Sequence, residues 1–409
     1  MPKNIMVQQR LHIRLHRLKV AAALLFASFN ASNAFGQDSL ITLLARSNVT
    51  YFGPIENGFS GIGWDRISTQ VDATDNVLIG EDHFTNEIPA FVSALAARER
   101  FDNFFCEVDP FSARILQERI ESTSAIERED FLKRDGDLLS FFAFVPEYHL
   151  LEQLSKANTR FQGLDQILMV ADGLVFGDLA TRTTNKEAKG IYLAIRDSSR
   201  YYFEAFKKDP SRPMYSFTPG FDEQLAKLSV LDLSKEGSEA VSAMAISMRI
   251  YKEQSHPLRM QLLKNDLMRS YSEWKGQRNL FKFGAYHMPR GEGLIGGYDI
   301  GNLVSNLIDG EYKRSYHLMI AGRSGMQASP LECFPETPVD ENSEALVPLR
   351  PFFNAVLGTD WHCFDLAPLK EAMEKGELTV PDPILQRIIK GYDHLVIIPV
   401  VSAPKFVFK

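Results

Sequence analysis

The chain of 409 residues contains only three cysteines and no Cys-x-x-Cys pair. That excludes a disulfide framework and the common zinc and redox motifs built on paired cysteines. Cys106 sits in the apolar run Phe104-Phe105-Cys106 and is expected as a buried thiol, whereas Cys333 and Cys363 lie in loop-rich sequence and are the two that an oxidising compartment would allow to pair. A G-x-S-x-G elbow is missing, which disfavours a serine nucleophile of the α/β-hydrolase type. So are H-E-x-x-H and G-x-x-x-x-G-K-[ST], the signatures of zinc peptidases and phosphate-binding loops. The glycine-rich stretch 293–301 lacks the dinucleotide fingerprint and reads as a mobile loop beside His287. Basic charge is also scarce, with 45 Lys and Arg against 52 Asp and Glu and a net charge of −7. An acidic chain has no general electrostatic reason to hold nucleic acid or an anionic membrane surface.

Five of the basic residues (Lys3, Arg10, Arg14, Arg17, Lys19) fall in the first 34 positions, which contain no acid. They precede the ten-residue apolar stretch 20–29 and the small-x-small sequence Ser32-Asn33-Ala34. This is the pattern of a secretory signal over 1–34, too short to span a bilayer. It places the mature protein in the periplasm or outside the cell. No other stretch approaches the roughly 18 uninterrupted apolar residues of a membrane span.

Residues 37–409 read as one α/β domain. Asn76-Val-Leu-Ile-Gly80, Phe104 to Glu107 and Arg160 to Gly163 are strands, separated by helical patterns over 86–100, 110–121 and around 150–154. Strand and helix in alternation predict a central, mostly parallel sheet flanked by helices. From about 167 to 274 the pattern is helical with almost no strand, an inserted helical subdomain whose long last helix breaks at His256-Pro257. Strands return at 280–284, 316–321 and 394–398, with a helix over 298–307 and a long surface loop over 323–348.

Polar residues follow four of these strands: Gly80-Glu81-Asp82-His83, Glu107-Val108-Asp109, Gly163-Leu164-Asp165 and Gly284-Ala285-Tyr286-His287. In an open parallel sheet the carboxyl ends of the strands share one edge, where ligands bind. A single histidine or acid in such a place more often caps the next helix. The set is more telling, because Gly-x-x-His occurs twice, each time behind a strand, and a glycine allows the tight turn that swings the following side chains over the edge. Two imidazoles among carboxylates can serve as general acid and base, or can bind a divalent metal that activates water. Tyr286 and Arg290, on either side of His287, join Asp165 as candidates for substrate contact. His149, His256, His317, His362 and His394 have no acidic cluster behind them and read mostly as structural or exposed.

The ordered set Leu78-Ile-Gly-Glu-Asp-His83, Cys106-Glu107, Gly163-Leu-Asp165, Arg259 in Arg259-Met-Gln-Leu-Leu-Lys-Asn-Asp266, Gly284-Ala-Tyr-His287 and Tyr392 to Pro399 resembles the erythromycin esterase-like family. That family lies within a wider group that includes the Tiki, TraB and ChaN-type proteins. The resemblance spans most of residues 76–400. It implies an active site lined by Glu81, His83, Glu107, Arg259 and His287. In the esterases a histidine of this set is the general base on water. In Tiki-like members the histidines and a glutamate are tied to a divalent metal, which here would be held by His83, His287 and Glu107. The four-residue spacing of Gly80-Glu81-Asp82-His83 is closer to the Tiki and ChaN form than to the longer G-E-x-x-H of macrolide esterases. The expected activity is hydrolysis of an ester, lactone or amide in a small molecule or peptide, with no certain cofactor and a divalent metal as the open option. The alternatives are a metal-dependent protease and a soluble carrier of haem, iron or another small ligand on the same fold.

Overall fold

The computed structural model describes residues 38–408, so the signal sequence expected over 1–34 lies outside the described residues. After a helix over 38–47 come strands β1 (Val49–Ile55) and β2 (Gly58–Ser60), then β3 (Asn76–Glu81), β4 (Asn103–Cys106), β5 (Arg160–Gly163), β6 (Asn279–Gly284) and β7 (Ser315–Gly322). The short hairpin β8 (Gly325–Gln327) and β9 (Thr337–Val339) precedes β10 (Trp361–Asp365) and β11 (His394–Ile398). Nine strands form one sheet in the order β2-β1-β10-β11-β7-β3-β6-β4-β5. The six from β11 to β5 are parallel, while β10, β1 and β2 extend the sheet as an antiparallel edge. All six strands read from the sequence are present. The antiparallel edge was not legible: β1 carries Pro54, which demotes a strand reading, and β10 mixes His362 and Asp365 into a short run.

Every residue of β3 and β6 is buried, as expected for strands covered on both faces. Their alternating side chains feed two cores. Val77 and Ile79 pack with Phe91 and Leu95 of the helix Glu87–Arg98 on one face. Leu78 and Phe281 pack with Val304 and Ile308 of the helix Ile300–Asp309 on the other. Register is fixed at the amino ends by a buried amide ladder, in which Asn103 donates to Asn279 and Asn279 to Asn76, each at 2.9 Å. A slip of one residue would leave these amides unpaired in the core.

The chain leaving β3 crosses toward β4 over the first face. The chain leaving β6 crosses β3 toward β7 over the second. Neighbouring connections therefore diverge, and a crevice opens above the carboxyl ends of β3 and β6. Between β5 and β6 the described chain is helical throughout, through Asp172–Arg182, Lys186–Lys208, Pro219–Ser229 and Lys235–Glu253, with a core of its own around Phe176, Tyr192, Phe221 and Met244. The break expected at His256-Pro257 is real: Gln254 is left-handed (φ 50°), and Ser255 caps the new helix His256–Arg269. The long loop over 323–348 contains the β8–β9 hairpin rather than being structureless. Cys333 and Cys363 are both free thiols, so the pairing read as allowed is not formed. Cys363 is buried in β10, where its side chain is part of the sheet core. Among the described residues no helix is long and apolar enough to cross a membrane.

Candidate active site

Glu81 ends β3, Glu107 follows β4, Asp165 follows β5 and His287 follows β6, so four adjacent strands bring their terminal residues to the crevice. Glu107 is at the centre. Its Oε1 accepts from Arg259 Nη2 at 2.6 Å and its Oε2 from the Gly284 backbone N–H at 2.7 Å. The Nε2 atoms of His83 and His287 lie 3.5 and 3.4 Å from the same carboxylate. Each imidazole is oriented from behind by a carboxylate of its own: His83 Nδ1 lies 2.8 Å from Glu81 Oε1, and His287 Nδ1 lies 2.7 Å from Asp299 Oδ2. A carboxylate on Nδ1 fixes the ring and leaves Nε2 as the reacting nitrogen. Gly284 is needed here for space, since a Cβ on it would fall 2.8 Å from His83 Nε2.

Arg259 enters from the helix His256–Arg269 and forks onto Asp165 through Nε at 2.9 Å and Nη2 at 2.5 Å. Asp165, expected as a substrate contact, instead anchors this arginine. These bonds leave Arg259 Nη1 without a partner among the described residues. Tyr286 is 39% exposed beside the cluster. Arg290 points elsewhere: both its Nη atoms pair with Asp393 at 2.8 and 2.7 Å, tying its loop to the start of β11. It is a structural cross-link rather than a member of the cluster.

Four partners escaped the sequence reading, Glu147 among them. Lys282, in the middle of β6, is 4% exposed and donates to Glu81 Oε1 at 2.8 Å and to Glu147 Oε1 at 2.6 Å. A lysine inside an otherwise apolar strand was a visible signal, because a buried charge requires a partner. Asp299 sits in the glycine-rich stretch read as a mobile loop; it caps the helix Ile300–Asp309 through Ile300 N–H and holds His287 at the same time. The ring of His256 comes within 5.9 Å of that of His287, so this histidine borders the site.

The result is a row of alternating charge: Glu147, Lys282, Glu81, His83, Glu107, His287, Asp299. Burial would lower the His83 pKa, but Glu107 and Glu81 override it and raise it to about 10. For His287, burial is likewise overridden by Glu107 and Asp299, giving about 9. Burial opposes the ionised form of Glu107, yet the two imidazolium charges hold its carboxyl well below the usual range. Both histidines are therefore protonated at neutral pH in the resting site. His83 is one-quarter exposed at its side chain and His287 is 4% exposed, so water reaches His83 more readily.

The donor set does not fit a resident divalent metal. Among the described residues no three His, Cys, Asp or Glu side chains are arranged to hold an ion. Both oxygens of Glu107 already accept hydrogen bonds, one of them from the cationic Arg259 guanidinium.

No family model and no curated protein matches the chain. Solved structures do. A succinoglycan biosynthesis protein aligns with TM-score 0.54 at 15% identity, over 90% of this chain and 98% of its own. A Bacillus cereus protein aligns with TM-score 0.51 at 15% identity, over 91% and 99%. The erythromycin esterase EreC, as a mutant in its open conformation, aligns with TM-score 0.52 at 14% identity, over 85% and 95%. At this identity what is shared is the architecture: the chain has the α/β fold of erythromycin esterase.

Proposed function

We propose that this chain is an exported hydrolase in which His83 activates water against the carbonyl of an ester, lactone or amide. One observation supports the reading above all: two strand-end imidazoles, each oriented from behind by its own carboxylate, turn their Nε2 atoms toward one shared glutamate. The erythromycin esterase fold agrees with it. In the step envisaged, one proton has left the imidazole pair, and in the reactive form the remaining proton sits on buried His287 while the more exposed His83 is neutral. His83 Nε2 then takes a proton from water as the water oxygen bonds to the carbonyl carbon. Protonated His287 and the unused Nη1 of Arg259 face the negative charge that develops on the carbonyl oxygen. Collapse of the tetrahedral intermediate breaks the bond to the leaving oxygen or nitrogen, which takes the proton back from His83. Glu107 holds both imidazoles and the guanidinium in register.

The test is turnover of a panel of simple esters, lactones and amides by the purified protein, before and after chelator. Hydrolysis that survives chelation is expected; no turnover of any member contradicts the reading. Export rests on the basic, apolar and small-residue order of 1–34. Amino-terminal sequencing of protein from the cell envelope or medium should begin near Phe35, and an intact Met1 on that protein would contradict export.

A further inference from the structure

The crevice continues from Glu107 and Arg259 into a cleft of about 240 Å³. Phe84, Phe141, Leu139, Met169, Tyr251 and Pro330 supply its apolar walls. Phe84 and Phe141 stack at 5.3 Å with an interplanar angle of 18°, and the Phe141 ring lies 4.7 Å from that of His83. The backbone is held out of its ordinary range to place these rings. Phe84 itself (φ 65°) and Ser140, just before Phe141 (φ 54°), are both left-handed without being glycine. Such conformations cost about 1–3 kcal/mol each and persist where the surroundings enforce them. Here Ala328 N–H donates to the Phe84 carbonyl at 3.0 Å.

Volume and charge narrow the occupant. An apolar cavity of about 150 Å³ holds one benzene ring, so 240 Å³ accommodates a ring and a short acyl group, but not a macrocycle. Among the described residues that line it, the acids are Glu107, Asp109 and Asp165 and the one cation is Arg259, whose charge is balanced by Glu107 and Asp165. An anionic group would enter against this excess of carboxylate.

Building on the hydrolase reading, we infer that the substrate is a small carbonyl compound with a flat aromatic or similar apolar group stacked on the Phe84–Phe141 pair and with no anionic group. The aromatic pair acts as the specificity element beside His83.

Binding can be read without turnover, on the full chain by ligand-detected NMR, with acetanilide as the neutral probe and benzoate as an anion of similar size. Acetanilide should bind at least tenfold more tightly. Phe141→Ala should lose at least tenfold of that affinity, and Phe141→Leu serves if the alanine variant fails to fold. His83→Ala should keep the binding while abolishing turnover of phenyl acetate, so that failure of the chemistry and failure of the recognition are told apart. Benzoate binding as tightly as acetanilide, no acetanilide binding at all, or unchanged affinity in the Phe141 variants overturns the inference.

Discussion

Replacing Lys282 by methionine removes one charge from the centre of the buried row and keeps roughly its volume. In the wild type the ammonium is 4% exposed and bridges Glu81 and Glu147 at 2.8 and 2.6 Å. Among the described residues Glu147 Oε2 has no hydrogen-bond partner, so Lys282 is its principal compensation. Removing one partner of a buried pair costs about 3–5 kcal/mol, because the other charge is stranded. The loss should depend on pH in a stated direction. Burial raises the Glu147 pKa to about 7 even with Lys282 pulling it down, and without the lysine it rises further. A carboxyl whose folded pKa is raised gives stability that is present below its unfolded value near 4.5 and is lost as pH rises through the folded value. Lys282→Met should therefore be only mildly destabilised near pH 5, where Glu147 keeps its proton. Because wild-type Glu147 itself keeps its proton up to about pH 7, the deficit should stay level from pH 5 to 7 and then grow by up to about 1.4 kcal/mol per pH unit above that. Urea unfolding of both proteins at half-unit steps from pH 5 to 8 measures this. The double variant Lys282→Met/Glu147→Gln should recover most of the loss at pH 8. A deficit that is the same at pH 5 and pH 8, or no recovery in the double variant, would refute the reasoning.

Two further outcomes follow from the same geometry. Gly284→Ala should fold, yet lose at least about 10²-fold in rate, because its Cβ would fall 2.8 Å from His83 Nε2 and misplacing a catalytic group costs about that much; unchanged kinetics with an unchanged melting temperature would contradict it. With the histidine pKa values raised to about 10 and about 9, kcat/KM should climb with pH above 8 as a base is freed. The stability the two imidazoliums contribute is complete below about 6.5 and should decline as pH rises toward their folded values; a rate limb centred near 6.5, or stability flat from pH 7 to 10, would exclude the paired-carboxylate account.

The parallel half of the sheet was legible because strands covered on both faces must be continuously apolar, as Val77 to Ile79 and Leu318 to Ile320 are. The residues behind those strands were legible for the same reason: once the strands are placed, topology sends their ends to one edge. What stayed hidden depends on distant chain. Asp299 lies twelve positions beyond His287 in a stretch whose glycines suggested looseness, and only the fold shows it behind the imidazole. Arg290 looked like a site residue by its nearness to His287, but Asp393, about a hundred positions later, claims it. Asp165 was rightly placed at the edge, while its engagement with Arg259 depended on where the helix after His256-Pro257 would dock. Glu147 gave no signal, since a glutamate in the first turn of the helix Val145–Lys156 is ordinary there.

The central claim is that His83 is the base and His287 its protonated neighbour across Glu107. With an ester that the wild type hydrolyses, the most direct measurement is the single-turnover rate of His83→Ala and His287→Ala across pH 7 to 10, with folding checked by thermal melt. The account predicts a loss of about 10²–10⁴ for His83→Ala, with the alkaline rise abolished. His287→Ala should be slowed but should keep a pH-dependent limb. Turnover by folded His83→Ala at near wild-type rate would contradict it.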